Sequence, residues 1–127
     1  MNIKLINAPD SHDLKSQYSQ AIEARDATRT LYVSGQIPVA LDGTVPKSFG
    51  DQARQAWANV EAQLRAAGMS LDNIVKHTTF LANREDRVEN SAVRKEVLGK
   101  REPALTVIVC DIFDEKWLLE IEAIAVA

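Results

Sequence analysis

The run Pro103-Ala104-Leu105-Thr106-Val107-Ile108-Val109-Cys110-Asp111 constrains this chain more than any other stretch. A proline opens it, where a missing N–H costs a sheet least, and apolar or β-branched residues follow, so it reads as a central strand buried on both faces. Side chains alternate across a sheet, so Leu105, Val107 and Val109 share one face and Thr106, Ile108 and Cys110 the other. Apart from the thiol none of them is an acid, a base or a nucleophile. Chemistry has to come from what surrounds the strand.

With 127 residues the chain is expected to form a single domain over 1–127. Fifteen Lys and Arg scattered among eighteen Asp and Glu leave a net charge of −3 and no basic stripe, so no nucleic-acid partner is expected. No segment approaches bilayer-spanning length, and the apolar run at Met1–Asn7 is too short for a signal peptide; no membrane partner is expected and the cytoplasm is the default location. The single cysteine, Cys110, reads as an inert core thiol rather than a nucleophile, because no cation neighbours it in sequence. His12 and His77 are too few and too far apart for a metal site, and no metal is expected.

Residues 3–7 and 22–24 suggest short strands, the second turning at Arg25-Asp26-Ala27. Tyr18, in a polar stretch between them, is either a packed ring or a phenol facing a site. Thr30–Ser34 is a clearer strand ended by Gly35 and Pro38, and Asp42-Gly43 is a turn dipeptide. Ser48 as N-cap, Asp51 three residues on, apolar residues at Ala53, Ala56, Trp57, Val60, Leu64 and Ala67, and a stop at Gly68 define a helix. Asn73–Leu81 is β-rich, and its His77 reads as a satisfied core or interface histidine rather than a general base. A second helix, capped near Asn83, runs to about Leu98 and stops at Gly99. Its mixed charges, Arg87 and Arg94 among them, read as a solvated or interface face. Trp117–Val126 alternates and is expected to pair with the central strand as a hairpin.

The order describes an α+β fold, a mixed sheet with two helices on one face. Leu105, Val107 and Val109 are expected on the other, uncovered face, where self-association would cover them.

Four separated pieces resemble one family: Tyr18-Ser19-Gln20-Ala21, Ser34-Gly35-Gln36-Ile37-Pro38, the helix Gln52–Val60 and the ending Glu120–Val126. Together, in this order over essentially the whole chain, they resemble the RidA (YjgF) family of reactive-intermediate deaminases. The resemblance implies a chorismate-mutase-like fold, a homotrimer whose sheets line a central barrel, and clefts between subunits. It also implies hydrolysis of small-molecule imines and enamines to a carbonyl compound and ammonia without a cofactor. Matched by position, Tyr18 corresponds to the cleft tyrosine, Ser34 and Gly35 belong to the Ser-Gly-Gln motif, Asn90 corresponds to a cleft asparagine, and Glu120 to the glutamate that orients the attacking water. Ser16-Gln17 stands where the family usually has Gly-Pro.

The main departure is on the central strand. Deaminase members read Pro-Ala-Arg-Ser/Thr there, the arginine clamping a substrate carboxylate through two parallel hydrogen bonds; this chain reads Pro103-Ala104-Leu105-Thr106. Val107 stands where many members have a cleft cysteine. Loss of such a contact costs on the order of 2–5 kcal/mol, roughly thirty- to several-thousand-fold in affinity. Unless Arg94, Lys100 or Arg101 reaches in, which the sequence does not require, a cleft walled by Leu105 and Val107 is expected to favour a neutral or apolar imine. Two readings follow: a divergent deaminase using Tyr18, Ser34 and Glu120, or a non-catalytic trimeric small-molecule-binding or regulatory protein of the same fold. Ribonuclease activity, a third, is disfavoured by the acidic composition.

Overall fold

The computed structural model describes residues 1–12 and 18–127. Residues Ser16 and Gln17, read above as a departure from the family pattern, lie outside the described residues. Two antiparallel strands, β1 (Asn2–Ile6) and β2 (Ala21–Arg25), form a ribbon, and β2 turns at Asp26, whose φ of 58° is left-handed. A four-stranded mixed sheet follows, built from β3 (Thr30–Gln36), β4 (Ile74–Leu81), β5 (Ala104–Val109) and β6 (Leu119–Val126) in the order β3-β6-β4-β5. Two helices, α1 (Phe49–Ala66) and α2 (Arg87–Leu98), complete the α+β fold.

Helix α1 forms where its signals agree. Ser48 Oγ accepts a hydrogen bond from the Asp51 N–H at 3.2 Å. At the other end Gly68 is left-handed with φ 70°, its N–H donating to the Arg65 carbonyl while Met69 donates to that of Leu64. The buried face of α1 includes Ala53, Ala56, Trp57, Val60 and Leu64, and it packs on β3 and β6. Small buried residues on both elements, Ala53 and Ala56 on α1 and Ala123 and Ala125 on β6, let helix and sheet approach closely. Helix α2 differs from expectation at its start. Asn83 makes no side-chain cap, and a 3-10 turn at Arg84–Asp86 precedes the helix.

The hairpin expected between the last two strands does not form. Strand β6 lies between β3 and β4, antiparallel to both, whereas β5 pairs with β4 and runs parallel to it at the end of the strand order. The reason lies in the β4-α2-β5 connection: a helix between two strands returns the second parallel to the first. The central place falls to β6, whose Leu119, Ile121, Ala123 and Ala125 are buried. Consequently β5 is not buried on both faces; Ile108 and Val109 are 46% and 42% exposed.

Register corrects the assignment of faces as well. Leu105, Val107 and Val109 sit opposite His77, Thr79 and Leu81, which are buried on the helix side. The uncovered face instead carries Tyr32, Lys76, Thr78, Phe80, Thr106, Ile108, Glu120, Glu122 and Ile124, a mixed surface on which Lys76 Nζ donates to Thr106 Oγ1 at 2.7 Å.

Candidate functional site

Helix α2 packs principally on α1 and stands away from β5, leaving a cleft of about 870 Å³ between helix and strand. Its strand wall is Leu105, Val107 and Val109; its helix wall is Arg87, Asn90, Ser91 and Arg94, spaced so that all share one helix face. Tyr18 and Arg84 complete it. Tyr18 is held there by its neighbour: Ser19 is buried, bridges to Ala104, and donates from Oγ to the Glu102 carbonyl at 2.7 Å. Four of the residues selected from sequence, Tyr18, Asn90, Leu105 and Val107, are therefore brought together.

The other three gather elsewhere. Strand β3 slips register against β6 between Val33 and Gln36, and this bulge carries Ser34 and Gly35. A Cβ on Gly35 would overlap the Glu120 carboxylate, so glycine here permits a close approach of backbone to acid. Glu120 pairs in register with Phe80 and projects from the face opposite Leu119 and Ile121. Ser34, an exposed residue, lines a shallow groove at the free edge of β3. Glu120, Ser34 and Gly35 thus lie across the sheet from the Tyr18 cleft.

Three residues that the sequence leaves as surface or core take on a different character in the structure. Arg94 is 8% exposed and lines the cleft, its Nη2 donating to Ser91 Oγ at 3.0 Å and its guanidinium carbon 6.0 Å from the centre of the Tyr18 ring. Burial pulls its pKa below the usual arginine range, and the Tyr18 hydroxyl opposes that shift. The expectation of a cleft without a cation therefore fails, and with it the ground for a neutral ligand, while the aliphatic character at Leu105 and Val107 stands. Arg101 is engaged elsewhere, donating to Asp72 at 2.6 Å. The signal for Arg94 was present in the 87, 90, 91, 94 spacing, but the same spacing also describes a solvated face.

His77 is also not the satisfied histidine expected. It is fully buried, edge-on to Trp57 with ring centres 5.1 Å apart, and neither ring nitrogen has a hydrogen-bond partner among the described residues. Burial, and then the positive charges of Arg94 and Lys76, pull its imidazole down to about 3, so the ring is neutral at physiological pH. Cys110 is half-buried just beyond β5 rather than within the core. Among the described residues no three His, Cys, Asp or Glu side chains converge as a metal-ligand set, and no helix is long and apolar enough to cross a membrane.

Comparison with known proteins identifies the family. The model of the endoribonuclease L-PSP family matches residues 6–127. The chain is 37% identical over 110 residues to a RutC family protein of Pyrococcus horikoshii, covering 85% of each. It is 33% identical over 125 residues to the 2-iminobutanoate/2-iminopropanoate deaminase of Bos taurus, covering 97% of this chain and 89% of that one. Among solved structures, YyfB of Yersinia pestis, from the conserved Rid protein family, matches with a TM-score of 0.88 at 25% identity over 100% of both chains. The fold, the order of the matched segments and these relatives agree, and the chain belongs to the endoribonuclease L-PSP family, the RidA (YjgF) group that its sequence resembles.

Proposed function

We propose that this protein is a divergent imine/enamine deaminase, a hydrolase whose cleft lies between subunits of a homotrimer and takes a substrate with an apolar portion. The observation that carries the reading is the division of the site residues. Tyr18, Asn90, Leu105 and Val107 line one side of the sheet while Glu120, Ser34 and Gly35 occupy the other. In this reading a second copy brings its Glu120 face to the Tyr18 cleft, and neither subunit holds a complete site alone.

The chemistry needs no oxidant and no cofactor. An enamine first tautomerises to the imine, gaining a proton at carbon and losing one from nitrogen; an imine enters directly. Glu120 orients a water and takes its proton as the oxygen adds to the C=N carbon, and the nitrogen is protonated with Tyr18 as donor. The resulting carbinolamine loses ammonia as the carbon–oxygen double bond forms: the proton held by Glu120 leaves with the nitrogen, and the hydroxyl proton returns to the Tyr18 oxygen. Ser34 and the backbone at Gly35 hold the polar end of the substrate, and the aliphatic wall at Leu105 and Val107 holds its carbon chain. A role on RNA, which the family's name suggests, is not favoured, because the net charge is −3 and the cleft arginines are gathered in one small pocket.

Ammonia release from imines generated in situ by an amino-acid oxidase tests the proposal. The natural protein is expected to accelerate it, Glu120→Gln to slow it by about 100-fold or more while the fold is kept, and Leu105→Arg to raise the rate on short-chain 2-imino acids. Full activity in Glu120→Gln would remove the glutamate from the mechanism. No acceleration of any imine by natural protein or variant would favour the non-catalytic binding protein.

A further inference from the structure

This inference rests on the deaminase reading and concerns the charge and orientation of the ligand. Three arginines line the cleft, Arg84 and Arg87 exposed and Arg94 buried. Among the described residues none of the three lies within ion-pair distance of a carboxylate, whereas Arg25, Arg54, Arg65 and Arg101 each meet one. Arg94 is the demanding case. A guanidinium offers five N–H donors, and the one side-chain hydrogen bond it makes among the described residues is to Ser91 Oγ. Arginine keeps its charge even when buried, so this cation is desolvated without a countercharge from the described residues, an arrangement that is costly until something anionic arrives.

We propose that Arg94 is the anion anchor of this cleft, supplying from α2 the cation that residue 105 no longer offers, so that the substrate is an imine or enamine carrying a carboxylate at one end and an apolar substituent at the other. The two walls then divide the work. Arg94 holds the carboxylate against the helix, with exposed Arg84 and Arg87 drawing it in, while Leu105, Val107 and Val109 take the apolar substituent along the strand. A short substituent would leave the aliphatic wall facing water, so branched or aromatic side chains are preferred over small ones.

Calorimetric titration of the whole protein with 4-methyl-2-oxopentanoate, a branched keto acid, and with its uncharged amide tests this without requiring turnover. The acid should bind the natural protein about tenfold or more tightly than the amide. Arg94→Met should weaken the acid by about tenfold or more and leave the amide unchanged, with Arg94→Lys in between. The unliganded Arg94→Met protein should melt at the same temperature as the natural one or higher, since a buried unpaired charge has been removed; a merely structural arginine would lower it. Equal affinity for acid and amide, no binding of the acid at millimolar concentration, or undiminished acid binding by Arg94→Met would each overturn the proposal. Should Arg94→Met fail to fold, the acid–amide comparison on the natural protein and the Arg94→Lys variant still decides. A protein that binds the acid through Arg94 yet hydrolyses no imine would sink the deaminase reading and leave the anchor standing.

Discussion

Burying an imidazole with neither nitrogen hydrogen-bonded is unfavourable, and far more so once the ring is charged. His77 bears that cost beneath Trp57, with the charge of Arg94 nearby to discourage protonation. Its folded pKa of about 3 lies below the ordinary 6.5, so the unfolded chain takes up a proton that the folded one refuses. Stability from this residue is therefore complete above about pH 6.5 and lost on acidification toward pH 3, by about 1.4 kcal/mol per pH unit. Denaturant titrations at pH 7 and 4.5 should differ by roughly 2–3 kcal/mol from this source, and His77→Phe, which keeps an aromatic ring against Trp57, should remove that part of the difference. An unchanged pH dependence in the variant would assign the acid sensitivity to other groups.

Elements differ in how much of their structure local sequence can carry. Helix α1 was legible because cap, periodicity and stop agree, and each can be tested alone. Ser48→Ala should lower stability by about 1 kcal/mol in chemical denaturation, with Ser48→Asp close to the natural protein. No loss in the alanine variant would show that tertiary packing of Trp57 and Leu64, rather than the cap, sets the helix start. Strand β5 was legible as a strand but not as an edge, since an apolar run does not say how many neighbours it has. Its place is set by the β4-α2-β5 crossover and by β6 claiming the centre with five buried side chains. The same limit hid Arg94. Its spacing with Arg87, Asn90 and Ser91 defines a helix face, but only the stand-off between α2 and β5 makes that face a cleft wall. The residues of the candidate site were found from family-like motifs, whereas their separation onto two faces of one sheet follows from register, which no short motif encodes.

At the scale of the whole molecule, that separation makes a prediction about mixtures. Tyr18→Phe and Glu120→Gln should each be nearly inactive as a pure protein, yet oligomers formed from both should recover activity. If each cleft takes Tyr18 from one subunit and Glu120 from its neighbour, random mixing in equal amounts leaves roughly one cleft in four with both natural groups. Ammonia release after co-refolding measures the fraction, and no recovery would mean the two residues do not act at one cleft across subunits. The bulge at Ser34-Gly35, which lets the Glu120 carboxylate lie against the backbone on its own face of the sheet, has a further consequence for a cell. On the proposed mechanism, a newly made chain holds its acid and its phenol facing apart and cannot hydrolyse an imine by itself. Under that mechanism activity would begin only when enough copies accumulate to find one another, so expression level would set a threshold as well as a rate.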